Sequence, residues 1–241
     1  MVFVLLGPDA VARQLGVPIL DRLEAAGFTA VRWQLICRRP SDLDTFHAVN
    51  IDKHWKGYLY RLVDRLFAYG PFMALDVAGS HEELRALKGS SDPAQAAPGT
   101  IRGDLGTINV VLALMHSSDT PADSERESAV FVPDGFAGEG DPRPVLKTLA
   151  RGGVAETRGF DEVLVGLRSR IEAALWHEEP GHPVEAVLRH DFLTPGLDVE
   201  HAADLAATVG VRIDPWERLV LATSQHFAPR RGGADGQGLG Q

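Results

Sequence analysis

Cysteine is almost missing: Cys37 is the single thiol in 241 residues, so no disulfide can form within the chain, which agrees with a reducing compartment. Nor does any unbroken apolar run reach the roughly 18–20 residues that cross a bilayer. The apolar start MVFVLL is too short for that and lacks the basic flank of a secretory signal. A cytoplasmic protein with no membrane partner is therefore expected. Basic excess is lacking too: 24 Lys and Arg face 33 Asp and Glu, a net charge of −9. Up to Val132 there are thirteen basic and sixteen acidic side chains, and beyond it eleven and seventeen. Nucleic-acid affinity rests on phosphate neutralisation, so this balance argues against a nucleic-acid partner. A few converging arginines can still make a local site for a small anion. Internal repeats are absent as well. The one His-rich stretch, Trp176-His177-Glu178-Glu179-Pro180-Gly181-His182, lacks the H-E-x-x-H spacing of zinc hydrolases, and Pro180 breaks its helical face, so no protein-held metal is expected.

What is present is a globular composition, 44% hydrophobic and 24% charged, long enough for one domain with about 100 residues to spare. Val2 to Leu6 reads as a buried strand closed by the turn Gly7-Pro8-Asp9. Helical turns follow at Val11 and Leu15 and from Pro18 to Gly27, then a β-rich stretch from Phe28 to Cys37, which places Cys37 in a buried strand rather than in a reactive position. Leu59, Leu62, Val63 and Leu66 form one apolar face of a helix from His54 to Tyr69. Phe72 to Val77 reads as a strand and His81 to Leu87 as a short helix. The loop SSDPAQAAPGTIRGD comes next, and then Glu125 to Val132 ending in a strand-like AVFV. That order suggests a ferredoxin-like α/β sandwich, helices on an antiparallel sheet.

From Pro133 the pattern changes, and we divide the chain into an α/β domain over 1–132, a linker over 133–140, an all-helical extension over 141–228 and a disordered tail over 229–241. Asp141-Pro142, Asp198 and Asp214-Pro215 read as helix starts. Phe160, Val163, Leu164, Leu167, Ile171, Ala174 and Leu175 form the clearest amphipathic stripe in the chain. An apolar stripe of that size implies that the extension is docked and not a free tail.

Several separated segments in the first 131 residues, taken in order, resemble a known family. LLGPDAVARQLGVPILDRLEAAGF matches an opening strand, K-P-D turn and first helices, and YGPFMALDV matches an S-G-P strand. DPAQAAPGTIRGD matches N-P-A-D-x-x-P-G-T-I-R-G-D, and MHSSDTPADSERESAVF matches H-G-S-D-S-x-x-S-A-x-x-E. The family is that of the nucleoside diphosphate kinases. The resemblance implies phosphoryl transfer from a nucleoside triphosphate through a histidine, here His116, to a nucleotide or another small phosphate acceptor. It implies Ser118 and Glu127 as supports of that histidine, and Arg85, Ser91 and Arg102 as phosphate-binding residues. It also implies Mg2+ carried by the nucleotide phosphates, and a homo-oligomer of at least two copies. Imidazole suits the role because its neutral nitrogen is nucleophilic near neutral pH, and two guanidiniums suit a polyphosphate because their forks bind oxygens bidentately.

The departures from the pattern have chemical consequences. The lysine of K-P-D is Gly7 here, and the Arg-Asn pair of R-N-x-x-H is Leu112 and Ala113; Asn109 is too far back to replace it in register. The base-stacking aromatic falls on Leu59, with Trp55, Tyr58 and Tyr60 nearby. His190-Asp191 reads as a helix-end pair. Two readings stay open: a divergent phosphotransferase working through His116, and a catalytically impaired nucleotide-binding or assembly module of the same fold.

Overall fold

In the computed structural model, which describes residues 1–52, 59, 61–176 and 180–231, the opening run is β1 (Val2–Leu6), buried at every position. It is followed by α1 (Pro8–Ala12), α2 (Gly16–Ala25), β2 (Thr29–Ile36), α3 (Leu43–Asp52), α4 (Arg61–Tyr69), β3 (Phe72–Ala78) and α5 (His81–Lys88). Then come α6 (Ile101–Leu105), β4 (Met115–Ser117), α7 (Pro121–Phe131), β5 (Gly138–Glu139) and α8 (Arg143–Arg151). The sheet runs β4-β1-β3-β2-β5, and each neighbouring pair is antiparallel. Its first four strands have the ferredoxin-like arrangement expected from the sequence.

β1 sits inside this sheet with helices against both of its faces. Val2, Val4 and Leu6 meet Ile19, Leu20 and Leu23 of α2 together with Leu84 of α5 and Leu146 of α8. Phe3 and Leu5 turn the other way, into a cluster with Leu43 of α3, Phe67 of α4 and Phe131 of α7. A strand covered on both sides needs a continuous apolar run and not an alternating one, which is what VFVLL supplies. The following helices start where short hydroxyl side chains can take up orphan amides: Ser80, Thr100 and Thr120 accept from the amides of Glu83, Gly103 and Asp123.

Four details differ from the sequence reading. AVFV is the end of α7 and not a strand, because Thr120 and Pro121 start a helix whose last turn buries Phe131; the fourth strand is instead Met115–Ser117. Within the proline-rich loop, IRGDL forms α6 once Thr100 caps it. Cys37 is exposed, one residue past Ile36, where the pairing of β2 with β3 stops. α3 carries no strong helical signal and was not anticipated. Of the helix expected from His54 to Tyr69, Arg61–Tyr69 is seen as α4, while 53–58 and 60 lie outside the described residues.

The chain divides into two compact units, Met1–Thr157 and Arg158–Gln241. α8, which the sequence reading grouped with the C-terminal helices, belongs to the first unit. Leu146 packs on the face of Gly16, and Gln14 donates from Nε2 to the carbonyls of Ala150 (3.1 Å) and Gly153 (3.0 Å). β5, inside the expected linker, pairs with β2 at Arg32 and Trp33.

The second unit is helical: α9 (Phe160–Leu175), α10 (Glu185–Arg189), α11 (Val199–Thr208) and α12 (Pro215–Ser224). The stripe residues Phe160, Val163, Leu164, Leu167 and Ile171 are buried, and α9 packs against α12 and α10. At the start of α12, Asp214 and Glu217 form a capping box, and buried Glu217 also accepts from Arg158 (3.1 Å) and Arg170 (2.6 Å). Among the described residues no helix is long and apolar enough to cross a membrane.

Two glycines give opposite expectations. A Cβ on Gly103 would lie 2.1 Å from the backbone oxygen of Ala97, so Gly103→Ala is expected to lower stability by about 1–3 kcal/mol in urea denaturation. A Cβ on Gly166, inside α9, meets nothing within 4 Å, so Gly166→Ala is expected to raise stability by about 0.5–1 kcal/mol.

Candidate active site

β4 is three residues long and pairs with β1 through Val4–Ser117, Leu5–His116 and Leu6–Met115. The two-residue period of a strand sends Met115 into the α2 side of the core and His116 to the opposite face, beside Leu5. The approach to β4 is held tightly. Gly7 donates its amide to the Leu114 carbonyl at 2.7 Å, and the Leu114 amide donates to Asp9 Oδ2 at 2.8 Å. Leu114 has φ of 69°, a left-handed conformation that a leucine adopts only under restraint, at a cost of about 1–3 kcal/mol. The turn after β1 supplies that restraint.

Arg102 braces the same segment. Its Nε donates to the Ala113 carbonyl (3.0 Å), Nη1 to Gly89 (3.0 Å) and Nη2 to Met115 (2.6 Å). Burial brings this guanidinium down to about 10, against the pull of Asp9, so it stays cationic at neutral pH.

Behind His116 stands α7. Glu127 is buried, and its Oε2 lies 2.6 Å from His116 Nε2 and accepts from Ser118 Oγ at 2.6 Å. Arg126 donates to Glu127 Oε1 at 3.1 Å. Burial pushes the Glu127 carboxyl up, but the His116 bond and charge, the Ser118 hydroxyl and the Arg126 cation outweigh it and hold the group below its usual range. A carboxylate only accepts, so Nε2 carries the imidazole proton and the lone pair of the neutral ring lies on Nδ1. Phe46 meets the ring edge to face at 5.2 Å, and Arg126 anchors the helix that carries Phe46 by donating to the Thr45 carbonyl at 2.9 Å.

His116 opens on a cavity of about 300 Å³ whose wall includes Phe46, Phe67, Val111, Ala113, Ser91 and Arg102. Four acids, Asp9, Asp119, Asp123 and Glu127, also border it. The residues expected from sequence therefore separate into two sets. His116, Ser118 and Glu127 form one bonded cluster, and Ser91 and Arg102 reach the cavity wall. Arg85 is exposed on α5 and is not among the lining residues. Gly7 and Ala113 line the cavity without a polar side chain, Leu112 is buried, and Asn109 spends its Oδ1 on the amides of Val111 and Leu112. Leu59 is half-buried; Trp55, Tyr58, Tyr60 and His177–Glu179 lie outside the described residues. His190 does end a helix, α10, where its Nδ1 accepts from the Phe192 amide at 3.0 Å.

Sequence reasoning missed two neighbours. Lys88 is buried and donates to Ser117 Oγ at 2.8 Å, and burial, reinforced by the Arg102 charge, brings its ammonium down to about 8. Its signal was present, since Lys88 stands four residues after buried Leu84 and so shares the inward face of α5. His47 lines the cavity with Nε2 2.9 Å from Asp64 Oδ1; burial holds this imidazole below its usual value although Asp64 pulls it up. No spacing rule joins those two residues, because they come from different helices.

Residues 1–135 match the family model described as nucleoside diphosphate kinase. The nucleoside diphosphate kinase of Streptomyces avermitilis is 42% identical over 133 residues, which are 54% of this chain and 93% of that protein. That of Thermobifida fusca is 35% identical over 133 residues, 54% of this chain and 95% of that protein. Among solved structures, a halophilic nucleoside diphosphate kinase from Halobacterium salinarum in complex with CDP is 30% identical and covers 60% of this chain and 96% of its own, with a TM-score of 0.48.

The cluster behind His116 has a pH signature. Because the folded Glu127 carboxyl is depressed below 4.5, its stabilisation is fully present above that value and is lost as pH falls through the folded value. Glu127→Gln is expected to cost about 1–3 kcal/mol at pH 7. The gap to the parent should narrow as pH drops below about 4.5. Urea melts at pH 7 and pH 3.5 measure it, and a gap that stays constant would contradict the assignment.

Proposed function

This chain belongs to the nucleoside diphosphate kinase family, and from that membership we propose that it transfers the terminal phosphoryl group of a nucleoside triphosphate, through His116, to a nucleotide or another small phosphate acceptor. The observation that carries this reading is the 2.6 Å bond between His116 Nε2 and Glu127. It fixes the tautomer that leaves Nδ1 as the nucleophile. Attack by the Nδ1 lone pair on the terminal phosphorus breaks the bond to the bridging oxygen and releases the diphosphate. The ring then carries a proton on Nε2 and a phosphoryl group on Nδ1, and the Glu127 carboxylate balances its positive charge. A terminal oxygen of the acceptor next attacks phosphorus, and the P–N bond breaks back to the free imidazole.

Among the described residues, no group of three or more His, Cys, Asp or Glu side chains is arranged to hold a metal ion. This donor set suits Mg2+ that arrives on the nucleotide phosphates and neutralises their charge. Asp119, on the cavity edge three residues after His116, is the carboxylate available to its hydration shell. A homo-oligomer of at least two copies and a cytoplasmic setting belong to the same proposal, supported by the family relationship.

The charge around the cavity sets the expected rate. Arg102 places its donors on three carbonyls, Arg85 is off the wall, and Gly7, Leu112 and Ala113 offer no cationic or amide side chain. One deleted transition-state donor costs about 3–4 kcal/mol, roughly 10²–10³ in rate. That observation favours the second reading, a nucleotide-binding or assembly module with impaired transfer.

Incubation with γ-labelled ATP or GTP and Mg2+ is expected to give acid-labile label on the protein, lost in His116→Ala. Equal labelling of both proteins would overturn the His116 assignment, and nucleotide binding without label would select the impaired module. In a coupled assay, turnover is expected to be at least about 10²-fold below that of a family member bearing the K-P-D lysine and the Arg-Asn pair. Ordinary turnover would mean that other side chains have replaced them.

A further inference from the structure

β4 is an edge strand, and the backbone groups on its two sides go to different partners. Even-numbered residues face β1: the Leu114 carbonyl accepts from the Gly7 amide, and the Ser118 amide donates to the Phe3 carbonyl at 3.0 Å. Odd-numbered carbonyls face outward, where no further strand follows, and two cations take them. Arg102 donates to Ala113 and Met115, and Lys88 Nζ donates to the Ser117 carbonyl at 3.3 Å. Lys88 donates again to Ser117 Oγ at 2.8 Å. That hydroxyl is itself a departure, since the motif H-G-S-D has glycine where Ser117 stands. Lys88 ends α5, is only 7% exposed, and is followed by Gly89, whose carbonyl also accepts from Arg102. The chain thus has no lysine in the turn after β1, at Gly7, and buries one against the far edge of β4.

We propose that Lys88 is a positioning residue for His116: it fastens the end of β4 through Ser117, and as a buried cation behind the strand it offsets the acids of the cavity when a phosphoryl donor approaches. The proposal rests on His116 as the phosphorylated group and not on a nucleotide as the donor. A donor of phosphoryl groups is an anion, and Asp9, Asp119, Asp123 and Glu127 border the cavity it must enter. A charge buried in a poorly screened interior is felt across several ångströms, so a cation need not touch the donor to favour its approach. The charges that act on Lys88 lie on every side of it: Arg85 on its own helix and Arg102 oppose its protonation, and Asp119 and Glu127 favour it. Burial first, then Arg102, brings the ammonium down to about 8, so it is cationic at neutral pH and becomes neutral as pH rises through that value. A neutral amine can keep its bond to Ser117 but has no field. Ionisation therefore separates the charge of Lys88 from its hydrogen bonds.

The test uses potassium phosphoramidate, a small anionic donor from which an imidazole nitrogen displaces ammonia at phosphorus, so that no nucleotide is needed. The rate of phosphorylation at His116 is followed in the full-length parent, Lys88→Met and Lys88→Arg from neutral to alkaline pH, and the donor's own ionisation cancels in each ratio of rates. Lys88→Met is expected to react at least about fivefold more slowly than the parent at pH 7, and the two rates should converge above about pH 9. Lys88→Arg, charged throughout, should keep the parent's rate at pH 7 and exceed it above about pH 8. A merely structural lysine would give a ratio that does not change with pH. Should neither variant fold, the parent decides alone: its rate relative to free imidazole is expected to fall with the midpoint at which the Lys88 13Cε resonance titrates, and two different midpoints would overturn the proposal. Equal rates of parent and Lys88→Met at pH 7, a ratio constant across the range, or no adduct at His116 in the parent would overturn it as well. A parent that reacts with phosphoramidate but not with ATP overturns the nucleotide as donor and not the role of Lys88.

Discussion

Two hydrogen bonds between the first turn and residue 114 hold the centre of this molecule in register. The Gly7 amide on the Leu114 carbonyl and the Leu114 amide on Asp9 keep a bulky residue in a left-handed conformation just before a three-residue strand. So short a strand has little pairing of its own to fix it, and its neighbour on one side only is β1. The clasp at 114 and the Arg102 brace on 113 and 115 therefore decide where His116 stands. With the strand fixed, Glu127 meets the imidazole from α7 and Ser118, just after β4, donates to the same carboxylate oxygen, a preorganisation that chemistry at a side chain requires.

This economy changes the meaning of Arg102. In a sequence motif it reads as a group for phosphate, because a guanidinium is the natural partner of a polyphosphate. In the fold the same guanidinium donates to three backbone carbonyls, those of Ala113, Gly89 and Met115. A side chain can retain its place in a motif while its hydrogen bonds are committed to architecture. The acids that border the cavity make the contrast sharper, since four of them share its wall with two arginines, His47 and His116 among the described lining residues.

The sequence made the sheet and the His116 cluster legible for different physical reasons. β1 announces itself as an unbroken apolar run and β3 as one broken only at Asp76, because both faces of each strand are covered, while α9 announces itself through a helical stripe and α12 through a stripe and its Asp214 cap. The cluster was legible through the family resemblance, whose motif places a serine and a glutamate at Ser118 and Glu127 after His116. β4 was not, because three residues with a polar centre carry no period, and AVFV looked more like a strand than MHS did. α3 was hidden by its weak amphipathicity, and Cys37 depended on where strand pairing stops. The roles of Asp9, Lys88 and His47 come from contacts between elements distant in the chain, to which no local pattern points.

The strand order also governs what happens while the chain is being made. β1 is buried on both faces, and its two partners, β3 and β4, begin at Phe72 and Met115. At synthesis rates of about 5–20 residues per second, the stretch between β1 and β4 takes roughly 6–20 s to emerge, and for that time VFVLL has an unpaired edge. A segment of that composition is prone to pair with another chain, so the growing polypeptide is exposed to aggregation until residue 117 arrives. The clasp that places the imidazole is thus among the last contacts of the sheet to become available, and the second edge of β1 is covered in the same event that forms the reactive face.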